Sequence, residues 1–211
     1  MGTLCFAHPT APGGSFAGDA PCLAEARWGF FMTDYRRAFV TGGCYFFTVV
    51  TQDRRPLFAD GESVARLREG FRRVKAAHPF EIDAVAILPD HLHVVWRLPE
   101  GDADYPLRWR KIKHYFSVGM DPGAERASLS RRREKGVWQR RYWEHVVRDE
   151  LDWQRHVDYV HFNPVKHGYV VRPGDWPYSS FSHAVAAGWY PVGWGEQTPR
   201  SLDAAEGEWG E

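Results

Sequence analysis

Residues 81–98 of the chain read EIDAVAILPDHLHVVWRL, and their pattern indicates the fold more clearly than any other part of the sequence. Residues 81–88 alternate or run apolar, residues 91–98 form a second apolar run, and Pro89-Asp90 between them favours a tight turn. Two apolar runs joined by a short turn are typical of a β-hairpin. This hairpin is the best-defined local structure in the sequence.

One strand and one helix precede the hairpin. Cys44 to Thr51 (CYFFTVVT) is rich in aromatic and β-branched residues, which predicts a buried strand. Asp60 to Ala77 carries apolar residues three and four positions apart, the spacing of an amphipathic helix, and Pro79 closes that helix.

A helix, a strand and a further helix follow the hairpin. The first helix spans about Pro106–Val118. Residues 121–136 have no core pattern and are interpreted as a mobile basic loop. Tyr142–Arg148 is a short strand, and the last helix, Asp149–Asn163, must end near Pro164 because the residue before a proline disfavours helical geometry.

The order β-α-β-β-α-β-α predicts an α+β fold. The economical arrangement is a ferredoxin-like four-stranded antiparallel sheet with the helices packed on one face. We divide the chain into a poorly structured N-terminal extension (residues 1–31), one domain (residues 32–176) and a Trp-, Gly- and acid-rich C-terminal tail (residues 177–211). The extension shows no periodicity, so it is either a loose segment or the product of a translation start upstream of a working one at Met32.

Composition is that of an ordinary globular protein. The 211 residues are 44% hydrophobic and 26% charged, with 27 Lys and Arg against 27 Asp and Glu, which excludes wholesale disorder. No apolar run approaches the roughly 20 residues of a membrane-spanning helix. Three widely spaced cysteines, and no secretory signal in residues 1–31, indicate a cytoplasmic protein.

Two histidines stand in the second strand of the hairpin. His91 and His93 are two positions apart, so their side chains point to the same face of a strand and can reach one ion or one phosphate. Imidazole nitrogens suit a divalent metal. Taken alone, the triplet is better explained by polar residues on a solvent-facing strand or by a cap of the turn.

A polar stripe marks the last helix. Tyr159 and Asn163 are four residues apart and His156 lies one turn earlier, so the three share one face. In an arbitrary helix, a tyrosine beside Val157 and Val160 is more often a core aromatic. A tyrosine, a carboxamide and a histidine on one face must nevertheless lie opposite something polar.

Three motifs, in order, resemble one known family. They are AILPDHLHVVW around the histidines, QRRYWEHVVRDELD in the short strand, and HVDYVHFNPVKHG around the tyrosine. Together they resemble the REP-associated tyrosine transposases, a branch of the single-tyrosine HUH transposase superfamily, over about Tyr35–Trp176. The fold that the resemblance implies, with the catalytic tyrosine on a C-terminal helix, agrees with the ferredoxin-like arrangement.

The resemblance implies a role for individual residues. His91 and His93 are the expected metal ligands, Tyr159 the nucleophile, and Asn163 the third ligand of a Mg²⁺ or Mn²⁺ ion. The implied reaction cleaves single-stranded DNA at repetitive extragenic palindromic hairpins, leaves a covalent 5′-phosphotyrosine and a free 3′-hydroxyl, and then transfers the strand without ATP. No general base for the tyrosine is evident, and His156 and Lys166 are candidates.

The charge distribution favours a DNA partner in spite of a net charge of zero. Residues 108–172 hold 15 basic and 8 acidic side chains, a net charge of +7, whereas residues 173–211 hold 1 basic and 6 acidic side chains. Interleaved aromatic residues could stack on unpaired bases, and Trp143 is the one most expected in the core. By resemblance, Arg36 and Arg37 belong to a segment that reads a short guide sequence beside the hairpin. The candidate DNA contacts are Arg36, Arg37, Arg131, Arg132, Arg133, Arg140, Arg141 and Lys166.

Three other functions are weighed against cleavage. A domesticated protein that binds repeat hairpins without cutting them would not need His91, His93 and Tyr159 together. A replication initiator or plasmid relaxase uses the same HUH chemistry, but the runs around Trp143 and Asn163 point away from it. A ferredoxin-like RNA-binding domain lacks the expected aromatic signatures on its strands. The sequence leaves open whether the protein is a monomer or a dimer.

Overall fold

The computed structural model describes residues 37–120, 136–191 and 193–202. Within them, four strands form one antiparallel sheet in the spatial order β2-β3-β1-β4. The strands are β1 (Cys44–Val50), β2 (Glu81–Ile87), β3 (His91–Arg97) and β4 (Trp143–Val146). The α-helices in the described part are α1 (Gly61–Ala77), α2 (Tyr105–Ser117), α3 (Glu150–Lys166) and the short α4 (Phe181–Ala186). The α+β fold with a ferredoxin-like four-stranded antiparallel sheet is confirmed.

Some predictions concern residues outside the described ranges. They are the N-terminal extension (residues 1–31), the basic loop apart from its last residue, and the candidate DNA contacts Arg36, Arg131, Arg132 and Arg133. None of the helices that the structure describes is both long and apolar enough to cross a membrane.

The predicted hairpin forms, and it places both histidines on a central strand. β2 and β3 pair antiparallel, and the Leu88 amide donates to the His91 carbonyl at 2.8 Å to close the turn. β3 also pairs with β1, so that Thr48 lies directly opposite His93. His91 and His93 therefore sit inside the sheet, with a neighbouring strand on each side.

Helices cover both faces of the sheet, which corrects the expectation that they pack on one face. Tyr45 and Phe47 of β1 belong to a core cluster with α1 and α2. Phe46, between them, belongs to a second cluster with Val157 and Val160 of α3. The physical reason lies in β1 itself: CYFFTVV has no polar face to offer to solvent, so each side of the strand needs its own cover.

The last long helix continues beyond its predicted end. α3 begins after Asp149, whose Oδ1 accepts from the Asp152 amide at 2.8 Å, and it runs through Pro164 to Lys166. The proline lies in the final turn, and the helix then closes with the Gly168 amide bonded to the Val165 carbonyl at 2.9 Å. This extra turn carries Lys166 back toward the middle of α3.

Residues 178–191 and 193–202 pack on the domain, so the packed core extends past the boundary placed at residue 176. The Ile87 amide donates to the Tyr178 carbonyl at 2.9 Å, which covers the outer edge of β2. Phe181 and Tyr190 are each only 7% exposed and join the second core cluster. This packing could not be predicted, because the Trp-, Gly- and Pro-rich residues of the segment show no helical or strand period.

Candidate active site

β3 and α3 bring the predicted histidines and tyrosine into contact. The His91 and His93 ring centroids lie 4.8 Å apart, and the Tyr159 ring approaches His93 edge-on at 5.1 Å. Asn163 lies one turn further along α3 on the same face. These four side chains belong to residues that are at most 2% exposed. The polar stripe of the helix therefore faces the histidine pair of the sheet.

Each histidine ring is oriented by a contact at Nδ1. His91 Nδ1 donates to Asp90 Oδ1 at 2.6 Å, because a carboxylate can only accept. His93 Nδ1 lies 2.9 Å from the Thr48 hydroxyl. Since both contacts engage Nδ1, Nε2 is the nitrogen that each ring would offer to a metal.

Asp90 and Thr48 are parts of the site that the sequence prediction missed. Burial works to raise the pKa of Asp90, but its bonds to His91 and Arg54 hold that pKa below its ordinary value, so the carboxylate is ionised. Its charge would make the His91 ring a better ligand for a metal ion. The sequence does single out Thr48, because it is the polar residue in the otherwise apolar run of β1.

The donor set fits a divalent ion. Two imidazole nitrogens from β3 and the amide oxygen of Asn163 from α3 are nitrogen and oxygen ligands of the kind that Mn²⁺ and, less readily, Mg²⁺ accept. Each ring has the oriented partner that ligating histidines usually have. The ligand chemistry supports this fit, and so does the placement of the residues, because Asn163 lies on the face of α3 that is turned toward His91 and His93.

Lys166 lies directly on the tyrosine. Its Nζ donates to Tyr159 Oη at 3.1 Å and is 4.8 Å from the centre of the tyrosine ring. As a donor, the ammonium group favours a negative charge on the phenol oxygen and does not act as its base. The other candidate base, His156, stacks on His145 with 4.5 Å between ring centroids, so it belongs to a neighbouring cluster.

A basic groove of about 960 Å³ lies on the other side of the sheet, along α2. Its floor includes Lys113, whose Nζ is 5.5 Å from the ring of Trp138 and 5.2 Å from that of Tyr142. Burial and the nearby Arg37 lower the pKa of Lys113 to about 7. The positively charged lining residues are Arg37, Arg110, Lys113 and Arg140.

Two of the predicted DNA contacts in the described ranges line this groove and two do not. Arg37 donates to the Tyr142 hydroxyl at 2.9 Å and stacks over its ring, and Arg140 lines the same wall. Arg141 is exposed but is not among the lining residues. Lys166 lies on the opposite face of the sheet, beside Tyr159.

The groove and the tyrosine site meet at one end of the sheet. Thr51, just after β1, donates its amide to the Asp90 carbonyl at 2.9 Å and forms a β-bridge with Trp138 of the groove. Asp90 in turn holds His91. The groove and the histidines are therefore separated only by this end of the sheet.

Trp143 is exposed, so its predicted place in the core is wrong. It is 41% exposed at the start of the edge strand β4, whereas Trp109 of α2 is fully buried. Trp143 pairs with Thr48, which pairs with His93, so the three residues form a row across the sheet on the tyrosine side. The exposed indole is thus a flat surface on the face that carries the site.

The chain is similar to proteins of one family along most of its length. It is 43% identical over 166 residues to a protein of Haemophilus influenzae that is named for the REP-associated tyrosine transposases, covering 78% of this chain and 94% of that protein. It is 43% identical over 163 residues to the REP-associated tyrosine transposase of Escherichia coli K12, covering 77% and 91% of the two chains.

A solved structure has the same fold. It is that of a REP-associated tyrosine transposase bound to a REP hairpin, and it matches with a TM-score of 0.67 and 41% identity over 80% of this chain and 94% of that chain. No model of a known protein family matches the chain. The identity and the coverage show that the chain belongs to the REP-associated tyrosine transposases.

Proposed function

We propose that the protein cleaves and rejoins single-stranded DNA at REP hairpins, with Tyr159 as the nucleophile. The observation that carries the proposal is the contact between Tyr159 of α3 and the His91–His93 pair of β3, with 5.1 Å between the Tyr159 and His93 rings. The solved relative is bound to a REP hairpin, which supports such a hairpin as the DNA partner. This DNA substrate agrees with the expected cytoplasmic location.

In the proposed step, the phenol oxygen of Tyr159 attacks the phosphorus of a phosphodiester. A bond forms between that oxygen and phosphorus, and the bond from phosphorus to the 3′ oxygen breaks. The 3′ oxygen leaves as a hydroxyl after gaining a proton, and the 5′-phosphate remains on the tyrosine. Because the bond energy is kept in the phosphotyrosine, attack by a 3′-hydroxyl rejoins a strand without ATP.

The phenol must first lose its proton. An ordinary tyrosine has a pKa near 10, so most of it is protonated and weakly nucleophilic at neutral pH. Lys166 Nζ, 3.1 Å from the phenol oxygen, stabilises the charged form. We assign Lys166 this electrostatic role in addition to its candidate role as a DNA contact.

His91, His93 and Asn163 are the residues that would hold a Mg²⁺ or Mn²⁺ ion. Such an ion would polarise the scissile phosphate and offset the charge that develops on its oxygens. Asp90 and Thr48 hold the two imidazole rings in place before DNA arrives. Pre-oriented ligands avoid reorganisation during the reaction.

We infer that single-stranded DNA lies in the basic groove and crosses the end of the sheet to Tyr159. The phosphates would meet Arg37 and Arg140, and unpaired bases could stack on Trp138 in the groove. Trp143 offers a second stacking surface on the tyrosine side. Arg36, Arg131, Arg132, Arg133 and Arg141 remain candidate phosphate contacts, and a short guide sequence beside the hairpin remains part of the expected target.

Binding without cleavage is a second candidate function, and the closed site favours it. Tyr159 is only 2% exposed and is covered by Lys166, so a phosphate can reach the hydroxyl only after that side chain moves. A protein in which this movement never occurred would bind hairpins and leave them intact. Because Lys166 is exposed at the end of α3, moving its side chain costs little free energy. For this reason we favour DNA cleavage over binding without cleavage.

The test uses a labelled REP hairpin with single-stranded flanks, in Mg²⁺ and in Mn²⁺. We expect the wild-type protein to cleave it and to form a DNA adduct that survives denaturing gels. Tyr159→Phe should bind the hairpin but form no adduct, and Tyr169→Phe, an exposed tyrosine just beyond α3, should behave as wild type. A wild-type protein that shifts the hairpin but forms no adduct in either metal would support the binding function.

A further inference from the structure

A second group of side chains of the metal-ligating type lies where β4 meets the first half of α3, beginning one turn before Tyr159. His145 of β4, with Asp152 and His156 of the first half of α3, places one donor atom per residue within 4.8 Å of the others. Asp152 and His156 are buried, and His145 is partly buried. The cleavage proposed above uses none of the three.

Both imidazoles meet one carboxylate. His145 Nε2 lies 2.8 Å from Asp152 Oδ2, and His156 Nδ1 lies 3.2 Å from Asp152 Oδ1 while it donates to the Asp152 backbone carbonyl at 2.7 Å. The two rings stack at 4.5 Å with 18° between their planes. In a tetrahedral zinc site, bonds of about 2.05 Å place donor atoms about 3.3 Å apart. The two nitrogen–oxygen distances in the cluster, 2.8 and 3.2 Å, lie just below that value.

This cluster cannot share an ion with the histidines of β3. The Phe46 ring lies between the two groups, 4.8 Å from the His156 ring and 5.7 Å from the His93 ring. His156 and Asn163 are seven residues apart on α3, which is about 10 Å along a helix that rises 1.5 Å per residue. Two separate sets of ligands therefore lie on one face of α3.

We propose that His145, Asp152 and His156 bind a transition-metal ion of the zinc type, which ties the edge strand β4 to α3. Two imidazoles and one carboxylate are a ligand set that prefers Zn²⁺ over Mg²⁺. The ion would replace the protons that His145 Nε2 and His156 Nδ1 donate to the oxygens of Asp152, so each proton passes to solvent or to the other nitrogen of its ring.

The surroundings of Asp152 are compatible with this role. Burial works to raise the pKa of Asp152, but hydrogen bonds from His145 and Arg148 outweigh it and lower the pKa to about 2, so the carboxylate is charged at neutral pH. The Arg148 Nε lies 3.1 Å from Oδ2 and would oppose a cation. Its side chain is 68% exposed, so it can turn away into water.

The test counts bound Zn²⁺ by calorimetry on the full chain. In a His91→Ala/His93→Ala double variant, which lacks the first site, we expect one Zn²⁺ per chain. Adding His145→Ala should weaken that binding at least a hundredfold, whereas adding His183→Ala, an exposed histidine of α4, should not. Absence of Zn²⁺ binding by the double variant, or binding that survives His145→Ala, would overturn the proposal.

A second measurement needs no substitution at the cluster. In nitrogen-detected NMR spectra of the wild-type imidazoles, Zn²⁺ should shift the His145 and His156 ring nitrogens. Shifts confined to His91 and His93 would contradict the second site. Because these experiments measure metal binding and not cleavage, their outcome does not depend on the function proposed for Tyr159.

Discussion

Lys166 is the side chain whose replacement best tests how the tyrosine is activated. Its Nζ lies 3.1 Å from Tyr159 Oη. Unit charges about 4 Å apart interact by about 1 kcal/mol in water and about 4 kcal/mol at an effective dielectric constant of 20. Because Lys166 is exposed, we take the lower part of that range, about 1–2 kcal/mol. Lys166→Met should then slow cleavage by about five- to thirtyfold.

The assay is single-turnover cleavage at saturating hairpin across a range of pH, so that weaker DNA binding does not enter the rate. The deficit of Lys166→Met should shrink as the pH approaches 10, because the phenol then ionises without help. Lys166→Arg keeps the charge and should retain most of the rate. A Lys166→Met protein that cleaves as fast as wild type at neutral pH, or whose deficit does not change with pH, would make Lys166 only a phosphate contact.

Three further predictions concern the groove, the exposed indole and the C-terminal packing. With a pKa of about 7, Lys113 loses its charge as the pH rises through 7, so hairpin affinity should fall from pH 6 to pH 8 in fluorescence anisotropy, and it should fall less in Lys113→Met. An equal fall in both proteins would show that Lys113 does not contribute to hairpin binding. Trp143→Ala should weaken DNA binding by about 1–3 kcal/mol without loss of thermal stability, whereas unchanged affinity would mean that no base stacks there. Phe181→Ala should lower the urea-derived free energy of unfolding by about 3 kcal/mol, because the ring is only 7% exposed, and a loss below about 1 kcal/mol would show that the C-terminal segment adds little.

The hairpin, the histidine pair and the tyrosine stripe could be predicted because each depends on a short-range period. Side chains two apart in a strand and four apart in a helix share a face whatever the rest of the chain does. The contact of His93 with Tyr159 needed only that β3 and α3 face each other. The positions of His91, His93 and Tyr159 could therefore be predicted from the sequence.

Other features depend on neighbours that are distant in sequence. Thr48 orients His93 only because of the register between β1 and β3, and a register cannot be read from one strand. Trp143 looked like a core residue, but whether an edge strand is covered depends on what packs beside it. Lys166 reaches Tyr159 because α3 continues through Pro164, which removes only one backbone hydrogen bond, to Lys166.

A covalent bond between Tyr159 and DNA can be tested for directly by mass spectrometry. Trypsin should release residues 156–166, HVDYVHFNPVK, in which Tyr159 is the only tyrosine. After reaction with a REP hairpin and nuclease digestion, we expect this peptide to carry a nucleotide linked through a 5′-phosphate to Tyr159. An unmodified peptide from a reaction that has cleaved the DNA, or a nucleotide on another residue, would contradict it.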